Sequence, residues 1–166
     1  IPLQPTEQEL ILACIERQNW AQQRIYEDNY RIMMAVCMRY SNSSDDAFDI
    51  LHEGFLKVFM NIKSYEPGTL LQAWIRRIMV NTAIDFYRKE SRRITRDLDE
   101  AKTMAYSKSG PIEAITAQEV MKAVQKLPNI YRSVFNMFAI EGYSHREIAD
   151  HLGITESTSR SNLVKA

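Results

Sequence analysis

The residues with the clearest chemical meaning are Arg76, Arg77, Arg88, Lys89, Arg92 and Arg93, spread along the stretch Leu71–Arg93. A row of guanidinium and ammonium groups breaks no bonds. It neutralises phosphate, so the chemistry open to it is the binding of a polyanion. From Leu71 to Arg96 seven Lys/Arg stand against two acids, Asp85 and Glu90, a local charge of +5 in a chain whose total is zero. Trp74 offers a ring for the core or for stacking, the core being the favoured reading, and Asn81 an amide that can bond a base edge or cap a neighbouring turn. The plainer reading of the same residues is a solvated helix face.

Other chemistries find no support. The histidines are His52, His145 and His151, with no His-Glu-x-x-His spacing, and the last two fall six apart, which aligns them poorly on one helix. No activated nucleophile, carboxylate dyad or phosphate-cradling glycine loop is present, so neither an enzyme nor a cofactor is expected. Cys14 and Cys37 form no redox or metal pair. Each falls in an apolar helical pattern, as expected of reduced core cysteines in a cytoplasmic protein.

The basic row needs a rod to carry it. Leu71, Trp74 or Ile75, Ile78, Thr82 and Phe86 recur every three to four residues and predict one buried helix face beneath the cations. Apolar residues make up 45% of the 166, while five Gly and five Pro argue against an all-β chain. No apolar run approaches the roughly 20 residues needed to cross a bilayer. The zero net charge is segregated: Ile1–Leu70 carries −4, Leu71–Gly110 +4, and Pro111–Ala166 has six charges of each sign.

Three helices are expected before the basic one. Leu10, Ile11, Cys14 and Ile15 form a short stripe after a flexible lead-in that lacks an initiator Met, so the true N-terminus is expected upstream. Tyr26, Tyr30, Met33, Cys37 and Tyr40 step along a longer helix opened by Trp20. Ser43 or Ser44 caps the third, with Asp45 and Asp46 in its first turn. That helix turns Ala47, Ile50, Leu51, Phe55, Val58, Phe59 and Ile62 inward and offers Asp46, Asp49, Glu53 and Lys57 on its other face. Glu66-Pro67-Gly68 is a turn, and Thr69 can cap the basic helix.

Residues 1–95 therefore read as a four-helix domain, 96–111 as a polar flexible linker, and 112–166 as a second helical domain; the fold class is all-α. Pro111 is expected in the first turn of a helix bearing Ile115, Val120, Val124 and Leu127, and Pro128 to start another with Val134, Phe135 and Phe138 inward. Ser144-His145-Arg146-Glu147 has capping-box spacing, Gly153 permits a tight turn, and Thr155 caps a last helix. Helix, glycine turn, helix predicts a helix-turn-helix, an ordinary αα-hairpin being the alternative. Its second helix would present Ser157, Thr158, Arg160, Ser161, Asn162 and Lys165 to a major groove, with Arg160 at a base and Lys165 and Arg146 at phosphates. That helix is expected to continue beyond Ala166.

Two blocks together resemble a known family. Asp46–Phe59 followed by Trp74–Asn81 is similar to the second conserved region of extracytoplasmic-function (ECF) sigma factors of bacterial RNA polymerase. Leu127-Pro128, Tyr131-Arg132, Glu141–Ser144, Glu147–Ala149, Leu152–Ile154 and Thr158–Ser161 are similar to the fourth. The order, linker length and size match as well.

The resemblance implies a protein that directs core polymerase to promoters by recognising −35 and −10 elements. Asp46, Asp49, His52, Glu53 and Lys57 would dock the clamp coiled coil of the largest subunit, and the flap would hold the second domain; His52 stands where the family often has glutamine. The Ser64–Thr69 loop would capture an unstacked base. Tyr65, Trp74, Arg76, Arg77, Asn81, Asp85, Arg88, Lys89, Arg92 and Arg93 would hold the opened −10 strand. In the reading helix Ser157 replaces a frequent glycine, Ser159 an apolar residue and Asn162 an arginine. An anti-sigma protein is the further partner implied. The alternative is a helix-turn-helix regulator acting without polymerase, which would leave Asp46–Arg93 unexplained.

Overall fold

The computed structural model describes residues 5–97 and 116–166. Among the described residues the chain is helical and has no strand, and no helix is long and apolar enough to cross a membrane. It divides into two compact units, Ile1–Ala83 and Ile84–Ala166, the division falling inside one long helix.

In the first unit, α1 (Glu7–Ile15) opens on a capping box in which Thr6 and Glu9 satisfy each other's backbone N–H, and it buries Ile11, Ala13 and Cys14. Arg17, at φ 62°, turns the chain into α2 (Asn19–Tyr40). Along α2, Ala21, Ile25, Asn29, Met33, Val36, Cys37 and Tyr40 are buried at three- and four-residue steps. Asn29 satisfies its amide within the helix, donating to the Ile25 carbonyl at 2.8 Å. Burial pushes the Cys14 thiol up to about 11 and the Cys37 thiol up to about 12, which keeps both protonated and unreactive.

Ser43 caps α3 (Ser44–Asn61), its hydroxyl accepting from the Asp46 N–H at 3.1 Å. The inward face of α3 is Ala47, Ile50, Leu51, Gly54, Phe55 and Val58. It packs on α2, with the Phe55 ring 4.6 Å from that of Tyr26. A 3₁₀ turn (Ile62–Ser64) and a loop lead to α4 (Leu71–Asp97), which carries the basic row.

The buried stripe of α4 differs from the expected one. Ile75, Met79, Val80, Thr82, Ala83 and Ile84 are buried, whereas Leu71, Trp74, Ile78 and Phe86 are only half-buried. Gly54 explains part of the choice: a Cβ there would lie 2.2 Å from Met79 Sδ, so the glycine is the socket into which Met79 packs. Gly54→Ala must displace a fully buried thioether. It is expected to destabilise the first unit by about 1–3 kcal/mol, despite alanine's better helix propensity. Urea unfolding followed by circular dichroism measures this, and a neutral or stabilising result would show that Met79 has room to move.

The second unit begins with the latter half of α4. Of the expected linker, Arg96 and Asp97 close α4 and the rest lies outside the described residues, as do Pro111 and Ile115. The described start of α5 (Ala117–Lys126) is a capping box between Thr116 and Glu119, whose carboxyl the Thr116 N–H and hydroxyl hold below its ordinary range. Pro128 caps α6 (Asn129–Phe135). Arg132 is buried across the α5–α6 turn, donating to the Gln125 carbonyl at 3.2 Å and to Asn129 Oδ1 at 2.7 Å. Residues Asn136–Ile140 widen into a π-helical turn, and α7 (His145–Leu152) and α8 (Glu156–Lys165) close the unit. Val134 and Met137 are fully buried, but Phe138, expected inward, is 40% exposed. The extra residue in the π turn rotates it out of the core.

Candidate nucleic-acid and polymerase surfaces

Three surfaces carry the residues singled out above. The first is the outer face of α3. Asp49 and His52 are exposed there and Asp46 is half-buried in the first turn. Glu53 holds Lys57 at 3.1 Å in an ion pair one turn apart. The same face contains residues the sequence patterns left unassigned: Leu56 is 63% exposed and Met60 80%. With Asp49 and Glu53 they step by four, three and four, so the stripe is acidic at the helix N-terminus and apolar at its C-terminus. Exposed Phe48, whose ring lies 6.2 Å from His52, flanks it. The available signal was a surplus of apolar residues in α3 beyond what one face can bury.

The second surface is α4. At about 100° per residue, Arg77, Asn81, Asp85, Arg88, Lys89 and Arg92 fall within one third of the circumference. Arg77, Asp85, Lys89 and Arg92 are exposed; Asn81 and Arg88, which fall inside the same arc, are half-buried, and Arg88 donates to the His151 carbonyl at 3.3 Å within the second unit. Asn81 keeps its Oδ1 buried with no bonding partner among the described residues. Arg76 lies off this face and is half-buried. Arg93 continues the helix.

At the N-terminal end of α4 stand the two aromatic candidates. Trp74 is half-buried, and the Tyr65 ring meets it edge-on, centroids 5.6 Å apart. Tyr65 corrects an expectation. It is 5% exposed and its hydroxyl lies 2.8 Å from Glu7 Oε1 and 2.5 Å from the Thr69 carbonyl, so it has no open face on which a base could stack. Burial, with Glu7 adding to it, holds its hydroxyl pKa above the ordinary value.

The third surface is the helix-turn-helix. Ser144 and Glu147 form the expected capping box, the Glu147 carboxylate accepting from the Ser144 N–H and hydroxyl, each at 2.8 Å. Gly153 adopts φ 67°, ψ 36°, the left-handed conformation that lets α7 stop and the chain turn at once. Ile154 then donates to the Ala149 carbonyl at 3.1 Å, and Thr155 caps α8 through the Thr158 N–H at 3.0 Å. Ile148, Ala149 and Leu152 pack beneath.

On α8, Ser157, Thr158, Arg160, Ser161 and Lys165 are exposed, as is Arg146 on α7. Arg160 pairs with Glu156 one turn earlier, a surface ion pair that opens at little cost. Asn162 departs from expectation: it is 7% exposed and faces inward, as does Ser159 at 0%. Ser159 is bonded to His145 Nδ1 at 2.9 Å, and the His145 ring stacks on Phe138 at 4.6 Å. His145 thus joins the two helices of the motif through a polar contact where an apolar one was expected.

Comparison with known proteins places the two helical parts in one family. The Sigma-70 region 2 family matches residues 25–93 and the Sigma-70 region 4 family residues 117–166. The ECF RNA polymerase sigma factor SigM of Mycobacterium tuberculosis is 26% identical over 161 residues, covering 97% of this chain and 81% of the relative. The ECF RNA polymerase sigma factor EcfG of Rhodopseudomonas palustris is 30% identical over 135 residues, 81% of this chain and 74% of the relative. Among solved structures, the sigma factor RpoE of Bartonella quintana, in complex with the anti-sigma factor NepR, shares the fold at a TM-score of 0.52 and 20% identity, over 86% of this chain and 89% of that one. The chain belongs to the ECF sigma factors of RNA polymerase, the subunits that direct transcription initiation to promoters.

Proposed function

We propose a division of this activity among the three surfaces. The α3 face, with Asp46, Asp49, His52, Glu53, Lys57 and the exposed Leu56 and Met60, docks the clamp coiled coil of the largest polymerase subunit. The cationic third of α4 holds the melted −10 strand, while Trp74, Asn81 and the loop before α4 receive one unstacked base of the non-template strand. Arg160, with Ser157, Thr158 and Ser161, reads the −35 major groove; Arg146 and Lys165 meet phosphates. Residues 1–95 form the melting domain, 96–111 the linker and 112–166 the reading domain, which the polymerase flap holds. The protein acts in the cytoplasm as a binding subunit with no catalysis of its own, and an anti-sigma protein, the kind of partner bound in the Bartonella complex, is its further partner.

The observation that carries this reading is on α4: Arg77, Lys89 and Arg92 are exposed on one face of the helix. An opened strand supplies phosphates to such a face. Run-off transcription tests the whole assignment. Core polymerase with this chain is expected to start transcripts at promoters bearing its −35 and −10 elements, where core alone yields none. Equal output with and without the chain would overturn it.

A further inference from the structure

We propose that α1 is part of the −10 machinery: Glu7 and Tyr65 are positioning residues that hold the base-capturing loop in shape before DNA arrives. The proposal deepens the reading above and rests on it, since it concerns the loop assigned there to base capture.

The loop Glu66–Leu70 is exposed along its whole length, and Leu70 at its end is 78% exposed. Its internal bonds are short-range: Thr69 N–H and Oγ1 both donate to the Glu66 carbonyl, at 3.3 and 2.9 Å, around Gly68 at φ 97°. Such a turn has little to keep it in one place. What fixes it is Tyr65. The single hydroxyl proton lies between the Thr69 carbonyl at 2.5 Å and Glu7 Oε1 at 2.8 Å, 58 residues away in sequence. The Tyr65 ring presses edge-on against Trp74, so the clasp sets the loop and the neighbouring ring together. Glu7 sits in the first turn of α1, whose capping box fixes that end of the helix, and α1 itself rests on α2 and the 3₁₀ turn. None of α1 lies in the region matched to Sigma-70 region 2, which begins at residue 25. Of the clasp, Tyr65 and Thr69 lie inside the matched region and Glu7 outside it.

Its effect follows from preorganisation. A base leaving the stack gains by binding only what remains after the receiving loop is ordered. A loop already held by the clasp keeps that gain, and a loose loop loses part of it. Neither Glu7 nor Tyr65 touches DNA in this scheme, so their effect appears only when there is a base to receive.

The test uses the full chain with core polymerase, and promoter DNA carrying a fluorescent base analogue beside the captured position. Tyr65→Phe removes one hydroxyl and keeps the ring. It is expected to leave core binding unchanged and to lower the open-complex equilibrium about tenfold, the scale of a hydrogen bond with a charged partner. Glu7→Ala leaves the Tyr65 hydroxyl on the Thr69 carbonyl and should lower it by less, Glu7→Gln should lie between Glu7→Ala and wild type because a neutral acceptor oxygen remains, and the Phe/Ala double variant should be no worse than Tyr65→Phe alone. On DNA with an abasic site at the captured position, wild type and Tyr65→Phe should become equal. Two results would overturn the proposal by itself: Tyr65→Phe and Glu7→Ala behaving as wild type on intact DNA, or both impairing intact and abasic DNA alike. If wild type itself does not distinguish intact from abasic DNA, base capture by this loop fails and the clasp's role fails with it.

Discussion

Replacing Leu56 by Asp is expected to weaken binding to core polymerase at least a hundredfold while leaving the protein folded. Leu56 is 63% exposed and Met60 80%, so neither supports the core, and the charge enters solvent in the free chain. The same charge in a complex would lie in the middle of an apolar patch bordered by Asp49 and Glu53. Desolvating a carboxylate there without a partner has a larger effect than losing the leucine contact. A hundredfold corresponds to about 2.7 kcal/mol, the range in which buried interface anchors fall. Lys57→Ala is the contrast. Its ion pair with Glu53 joins side chains that are 33% and 38% exposed, and such pairs contribute only about 0.2–1 kcal/mol. Sedimentation of labelled chain with core enzyme measures both, with circular dichroism to confirm folding. Unchanged binding by Leu56→Asp would remove the apolar end of α3 from the docking face.

Much of this organisation was legible in the amino-acid pattern, and the failures share a physical origin. Ser43, Ser144 and Thr155 announce their helices because a cap is a local device, complete within four residues. Thr116 and Glu119 carry the same local signal. On α4, several apolar residues occur in each turn, so periodicity alone does not choose between Leu71, Ile78 and Phe86 and the buried set around Ile75 and Met79. The choice is made across the core, where Gly54 leaves a socket for Met79. Tyr65 stands among the residues the resemblance places on the −10 strand, and nothing near it in sequence reveals that its hydroxyl reaches Glu7. Asn162 could have been placed correctly: stepping by four and three from the cap Thr155 gives Ser159 and Asn162, the two inward residues of α8. The exposed Leu56 and Met60 show the opposite case, apolar residues whose purpose lies outside the chain.

Converting Arg77, Lys89 and Arg92 together to Ala should reduce holoenzyme binding to an opened −10 strand about a hundredfold at 0.1 M salt, and hardly at all near 1 M. The three are exposed on one face of α4, so the substitution opens no cavity, and alanine favours the helix. Each phosphate neutralised on single-stranded DNA releases about 0.7 of a counterion, so affinity changes by about the 0.7 power of salt concentration per phosphate. Removing three cations at a tenth of the 1 M reference gives about 10², and the slope of log affinity against log salt should fall by about two. That slope is the decisive quantity. A merely structural defect lowers affinity at every salt concentration, whereas leaving phosphates without their cations lowers it only where counterions are dilute. Asp85 lies on the same face, and Asp85→Asn should shift affinity slightly upward with the opposite salt dependence. Anisotropy titrations of a forked promoter fragment between about 0.05 and 0.5 M salt supply the slopes. If the triple variant keeps the wild-type slope, DNA does not lie along this face of α4, and the strand must be sought elsewhere on the chain.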